Sequence, residues 1–165
     1  MEKIIDPVPT KLIKAELTRS RKLMDTNKGG NELYVVDCNN APNTLREIGR
    51  IRELTYREAG GCSGKEVDLD EYDYLEKPYQ QLIVWDPDAE TIIGGYRYLL
   101  GKDVTFKKDG QPNVTSSHLY TFRISSSTSI FPRQWSWAAL SWLPSTRVPR
   151  RAQRLCSQWT TFGTA

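Results

Sequence analysis

The chain has 165 residues, room for one domain with a proper core and too little for two compact ones. Its 38% hydrophobic and 26% charged residues are ordinary for a slightly polar globular protein, and no apolar run approaches the ~20 residues of a membrane-spanning helix or forms a signal peptide's apolar core. Cys38, Cys62 and Cys156 are an odd, unpatterned set, which reads as free thiols in a reducing cytoplasm, without zinc or disulfide spacing.

The net charge of +3 conceals a break in composition. Residues 123–165 hold six arginines, no lysine and no acid, so residues 1–122 hold 17 basic and 20 acidic residues, a net charge of −3. Four of the five tryptophans also lie in that last segment. A change this abrupt needs a cause.

In chain order, residues 10–24 (TKLIKAELTRSRKLM) predict a short basic helix with Thr10 as its cap and Leu12, Ile13, Leu17 and Leu23 on helical spacing. A polar turn leads to a strand over residues 32–38. Asn43 is the expected N-cap of a helix over residues 44–59, with Leu45, Ile48, Ile51 and Leu54 inward and Gly60-Gly61 as its stop. Residues 81–85 and 91–100 form a hairpin across DPDAE, with Gly94-Gly95 marking a bulge or a close backbone approach. A lesser hairpin around Lys108-Asp109-Gly110 precedes a strand over residues 116–122. The order helix, strand, helix, antiparallel strands predicts an α+β sheet domain.

Polar chemistry concentrates between Arg50 and Asp73. Glu66, Asp68, Asp70, Glu71 and Asp73 crowd one loop. Such a run reads either as solvated surface or as a site in which close carboxylates raise one another's pKa and grip an amine. Arg52 borders the apolar helix face, as a snorkelling side chain or as a site group. Arg97, between two tyrosines, meets the acidic loop if it points to the same sheet face. His118 is the only histidine and reads as structural. No nucleophile triad, phosphate loop or metal spacing is present.

The segment from Asn43 to Leu99 resembles the GNAT-like "hemolysin" group of acyl carrier protein-dependent N-acyltransferases. These are relatives of ornithine-lipid and glycine-lipid synthases and, more distantly, of acyl-homoserine-lactone synthases. The matching residues are Arg52 and Tyr56 on the helix, Asp70, Tyr72 and Asp73 in a D-x-Y/F-D loop, and Gly94 or Gly95, Tyr96 and Arg97 on the hairpin strand in a G-x-Y-R-Y/L pattern. The resemblance extends from near the N-terminus to about Phe122. It implies the N-terminal part of a GNAT-like fold, with a mainly antiparallel mixed sheet. It also implies transfer of a long-chain, often 3-hydroxylated, acyl group from acyl carrier protein (or coenzyme A) to an amino acid's amine, without a resident cofactor or metal. Arg52, Tyr56, Glu66, Asp68, Asp70, Asp73 and Arg97 would then bind the amino acid, and Arg46, Arg50 and Arg57 would steer the carrier. The implied location is cytoplasmic, peripheral to the inner face of the membrane.

The family's next elements, an E-L-G-R strand, P-E-Y-Q and a D-N-L-W helix, are absent from residues 123–165. A one-base register change accounts for this. Bases encoding SDKFIDEYF, with the first removed, read RISSSTSIF, which is residues 123–131. At the same offset, and for one choice of degenerate bases, residues 134–146 hide M-E-L-G-R-S-F-V-A-P-E-Y and residues 151–164 hide GAKALFAMDNLWDG. One part is independent of that choice: Trp137-Ala138 is tgg gcn, whose overlapping codon ggc is glycine. The expectation is therefore a family-like part over residues 1–122 and an out-of-frame tail over residues 123–165. With the E-L-G-R glutamate missing, the expected acyl transfer by this chain is nil, and no residue of it is assigned as catalytic. Two other readings stand beside this one: a nucleic-acid-binding module using the arginine–tryptophan tail, and a non-catalytic interactor of acyl carrier protein.

Overall fold

The computed structural model describes residues 1–27, 29–118 and 135–136. Strand order in the sheet follows chain order: β1 (Lys22–Asp25), β2 (Glu32–Val36), β3 (Gln80–Asp86), β4 (Thr91–Leu100) and the short β5 (Trp135–Ser136), each antiparallel to its neighbour. Helices α1 (Thr10–Glu16) and α2 (Pro42–Glu58) pack against one another, and residues from both share a core with the sheet. The architecture is α+β, as the order of elements predicts.

Ile13 and Leu17 from the first helical segment, Ile48 and Ile51 of α2, and Tyr34, Val36, Ile83, Trp85 and Ile92 of the sheet form the main core. Alternation places them: β3 buries Gln81, Ile83 and Trp85 and leaves the residues between them half-buried. Register carries Val36, Gln81 and Arg97 across three adjacent strands. A smaller cluster of Tyr72, Tyr79, Leu99, Val104 and Val114 lies toward the far end of β4. The hairpin residue Ile93 is the bulge, because Val84 pairs with Gly94 while Trp85 pairs with Ile92. That lies one position ahead of the expected Gly94-Gly95.

Several expected boundaries move, each for a non-local reason. The first helix ends at Glu16, and residues 22–25 pair with β2 instead of continuing it. Lys22 Nζ reaches Glu32 Oε1 at 2.6 Å on that neighbouring strand, while Leu23, expected on the apolar helix face, is exposed. Thr10 is the first helical residue, and Pro9 occupies its cap position. Helix α2 begins at Pro42, with Ala41 at the cap position and no cap from the side chain of Asn43. Glu16 supplies that function from α1: its carboxylate accepts from the backbone N–H of Asn43 (3.0 Å) and Thr44 (2.7 Å) and from both their side chains. Burial pushes the Glu16 carboxyl up, but these hydrogen bonds outweigh it and hold the group below its usual range. The inward face of α2 includes Arg52, and Leu54 is only half-buried. Thr115–His118 is a 3₁₀ turn where a strand over residues 116–122 is expected. Residues 119–122 and, apart from the short β5, the proposed out-of-frame tail lie outside the described residues.

Candidate functional site

Along α2, Leu45, Ile48, Arg52 and Tyr56 follow one another at spacings of three and four, so the stripe that faces the core turns polar at its C-terminal end. Gly49 lies beside this stripe. A Cβ there would meet Leu69 Cγ at 2.7 Å, so its bare backbone is what lets the acidic loop seat on the helix. Asp68 N–H donates to Gly49 O at 3.0 Å and ties the loop down at that point. Gly60, at φ 79°, then turns the chain out of the helix.

Glu53 organises the loop that follows. Its buried carboxylate accepts from Ser63 N–H (3.1 Å), Ser63 Oγ (2.7 Å), Gly64 N–H (3.0 Å) and Arg57 Nε (2.7 Å). Burial raises its pKa and the hydrogen bonds more than reverse that, leaving it below the usual range. Asp70 and Asp73 close a 3₁₀ turn between them. Asp70 Oδ1 accepts Tyr72 N–H at 2.9 Å and Asp73 Oδ2 accepts Asp70 N–H at 3.1 Å.

These anchors bring five charged groups into an alternating row. Asp68 Oδ2 is 3.0 Å from Arg52 Nη2; Arg52 Nη1 is 3.6 Å from Asp73 Oδ2; Arg97 Nη1 donates to Asp73 Oδ2 at 3.1 Å and to Asp70 Oδ2 at 2.8 Å. The centre is sealed and the ends are not: side-chain exposure is 0% at Asp73, 3% at Arg52 and 2% at Arg97, against 19% at Asp68 and 37% at Asp70. Gln81 Nε2 adds a 2.9 Å bond to Asp73, Arg97 Nη2 reaches Thr115 Oγ1 at 3.3 Å, and the Arg97 guanidinium lies 5.1 Å from the Tyr79 ring centre. Burial pushes the Asp68 carboxyl above its ordinary value despite the Arg52 and Arg97 charges. Desolvation raises the Tyr56 phenol likewise.

Five buried polar atoms in and beside the row lack a hydrogen bond of normal geometry: Arg52 Nε and Nη1, Tyr56 Oη, Gln81 Oε1 and Arg97 Nε. Left so, each costs roughly 1–3 kcal/mol. Such a concentration of unmet capacity at one place marks the region out from the rest of the core.

Of the residues proposed from sequence to hold an amino acid, Arg52, Tyr56, Asp68, Asp70, Asp73 and Arg97 gather here. Arg52 does not snorkel. Glu66 is not among them: it is exposed, and its backbone bonds the N-terminal segment at Glu2 and Ile5. Arg50 is bound in two places to Glu47 (2.9 and 2.7 Å), and Arg57 to Glu53 and Lys65 O (both ends under 3 Å). Arg46 is exposed, between two shallow surface grooves of about 590 and 400 Å³. Glu53, Gln81 and Thr115 join the site without a motif in the sequence to mark them. For Gln81 a signal existed, since period two sets it on the same face as Ile83 and Trp85. Among the described residues no group of three or more His, Cys, Asp or Glu is placed to hold a metal ion. No described helix is long and apolar enough to cross a membrane.

Comparison with known proteins bears on the same region. Residues 51–131 match the family described as "Acetyltransferase (GNAT) domain", a span that includes both arginines, the acidic loop and β3–β4. Two relatives carry the name glycine N(alpha)-acyltransferase. The one from Bacteroides thetaiotaomicron is 56% identical over 122 residues, 74% of this chain and 36% of its own length. The one from Phocaeicola vulgatus is 50% identical over 122 residues, 74% of this chain and 37% of its own length. The chain thus spans little more than a third of these relatives. No solved structure gives a significant match.

Proposed function

The similarities support an N-acyltransferase with the N-terminal part of a GNAT-like fold, and from that premise we propose that residues 1–122 are the acceptor-side part of an enzyme that acylates the amine of an amino acid. The observation that carries this reading is the sealed Arg52–Asp73–Arg97 row with an outward carboxylate at each end. Outward carboxylates hold an ammonium and buried guanidiniums fix their positions. The donor in this reading is a long-chain, often 3-hydroxylated, acyl thioester on acyl carrier protein, and the product is a lipid amino acid such as a glycine lipid, made at the cytoplasmic face of the membrane. No resident cofactor is needed for attack of an amine on a thioester.

The reading has a second half. A general base must take the amine's proton, and hydrogen-bond donors must meet the developing oxyanion. In the resembled family a glutamate in an E-L-G-R strand is the candidate base, and that sequence is absent after Phe122. The chain as written is therefore inactive, and the register change explains the loss of acids and the gain of tryptophan and serine. The two relatives match over 122 residues, while the family match runs on to residue 131, through the RISSSTSIF segment.

The test compares two proteins in one assay: this chain and the product of a gene with one base restored near codon 123. Each is incubated with acyl carrier protein thioester and glycine, and thiol release and N-acylglycine are measured. The expected result is product only from the restored frame. Product from the chain as written overturns the inactivity, and no acylated amino acid from the restored frame overturns the function.

A further inference from the structure

The chain leaves the sheet after Leu100 and comes back to it at Thr115. Between them a 3₁₀ turn (Gly101–Asp103), a bridge between Phe106 and Pro112 and a 2.8 Å bond from Asn113 N–H to Thr105 O close the excursion on itself. Val114 is fully buried in the smaller apolar cluster with Tyr72, Tyr79 and Leu99. That seats the next residue against the charged row, where both of its polar groups are used. Thr115 Oγ1 accepts from Arg97 Nη2 at 3.3 Å, and Thr115 N–H donates to Tyr79 Oη at 3.2 Å. Tyr79 is held in turn: it is wholly buried, its ring meets Tyr72 edge-on at 5.9 Å, and its backbone N–H donates to Tyr72 O at 3.0 Å. The Arg97 guanidinium lies 5.1 Å from the centre of the same ring. Arg97, Thr115 and Tyr79 therefore form a closed triangle in which each touches the other two.

We propose that Thr115 and Tyr79 are positioning residues for acyl transfer, a clamp that fixes where the chain departs for the segment that carries the reaction's base. This rests on the acyltransferase reading. In the resembled family the glutamate of the E-L-G-R strand comes after this point in the chain, and in that reading the amine it deprotonates is held by the outward carboxylates of the row. A base has to come within about 3 Å of the proton it takes, and a misplacement of about 1 Å can cost on the order of a hundredfold in rate. The two halves of such a site need a fixed join, and Thr115 provides one. Its hydroxyl is not there for charge: Arg97 already has Asp70 and Asp73 on Nη1, so a neutral acceptor on Nη2 adds direction rather than neutralisation. Nor does the turn at Thr115–His118 need it, because Ser117 N–H and Oγ both donate to Val114 O, at 2.9 and 2.6 Å.

The test has two parts. In this chain, hydrogen exchange followed by NMR is expected to show the Thr115 amide protected. Tyr79→Phe, which keeps the ring and removes the acceptor, is expected to speed that exchange at least about tenfold while the amides of β3 keep their protection. A Thr115 amide that exchanges as fast in the wild type as in Tyr79→Phe overturns the clamp. In the frame-restored protein, Thr115→Val is expected to lower kcat for acyl transfer about tenfold or more, with the KM for the amino acid changed less than about twofold, because the carboxylates of the row are untouched. Thr115→Ser, which keeps the hydroxyl, is expected to restore kcat, and Tyr79→Phe to lower it as Thr115→Val does. A kcat that Thr115→Val leaves unchanged, a loss that appears in KM alone, or a Thr115→Ser protein as slow as Thr115→Val overturns the positioning role while leaving acyl transfer standing. A frame-restored protein that protects the Thr115 amide yet acylates no amino acid brings down the acyltransferase reading itself, and the clamp's role in the reaction with it.

Discussion

Arg97 on β4 donates to Asp73 at 3.1 Å, joining the sheet to a loop 24 residues earlier in the chain. Both side chains are almost wholly out of water. A buried pair of this kind adds little net stability compared with apolar residues of the same size, but breaking it leaves an uncompensated charge. Its role is therefore to fix where the acidic loop sits.

Removing one member should cost far more than removing both. Asp73→Ala is expected to destabilise the protein by roughly 3–5 kcal/mol, since it strips both buried guanidiniums of a shared partner. A double change, Asp73→Leu with Arg97→Met, is expected to recover a large part of that loss. Urea denaturation of Asp73→Leu, Arg97→Met and the double variant checks this, and additive losses would contradict it. Arg97→Lys is expected to behave like a loss, because a lysine cannot reach Asp70, Asp73 and Thr115 together.

Glu16 makes the start of α2 sensitive to acid. Its folded-state pKa is depressed, so its contribution is present above the ordinary value of 4.5 and is lost as pH falls through the lower folded value. Glu16→Ala is expected to cost about 1–2 kcal/mol at pH 7, the range of a lost helix cap. Glu16→Gln should flatten the fall of stability below pH 4.5, which thermal melts across pH 3–6 (a range of about three units around the carboxylate pKa) measure directly.

Gly49 and Leu69 test how the loop seats. Alanine in a helix interior gains about 1 kcal/mol over glycine, yet a Cβ at position 49 meets Leu69 Cγ at 2.7 Å. Cγ is not the free end of the side chain, so the loop must shift with it. Gly49→Ala is expected to be destabilising by about 1–2 kcal/mol. In a background of Leu69→Ala the same change should become stabilising. A double-mutant cycle reads the difference, and a Gly49→Ala variant more stable than wild type would show that the loop yields freely.

For the proposed carrier protein, the three arginines of the outer helix face are not equivalent. Arg50 and Arg57 are engaged by carboxylates of their own helix, and Arg46 is exposed. Arg46→Glu is therefore expected to weaken binding to acyl carrier protein by about tenfold at low salt, and to lower the association rate more than it raises dissociation. Arg50→Glu should act mainly on stability, by placing a second acid against Glu47. Surface-plasmon measurements with salt titration distinguish the two, and equal effects at both positions would remove Arg46 from this role.

Much of the frame was written locally. The hairpin across residues 86–91, the stop of α2 at Gly60 and the α+β order all follow from turn chemistry and periodicity, which act within a few residues. The order Arg52, Tyr56, then the D-x-Y-D loop, then Tyr96-Arg97 points to the stretch where Arg52, Asp70, Asp73 and Arg97 gather, as residue types at set spacings. The tertiary structure decided what depends on distant partners. It ended the first helix at Glu16, because residues 22–25 gain more by pairing with β2, and it turned Glu16 into the cap of another helix. It brought in Glu53 and Gln81, whose partners lie in the loop, at Ser63 and Gly64 for the one and at Asp73 for the other. Above all it sorted one acidic run into a sealed Asp73, two outward carboxylates at Asp68 and Asp70, and a surface Glu66. Composition treats those four alike, and only the burial created by packing α2, the loop and β4 together gives them different chemistry.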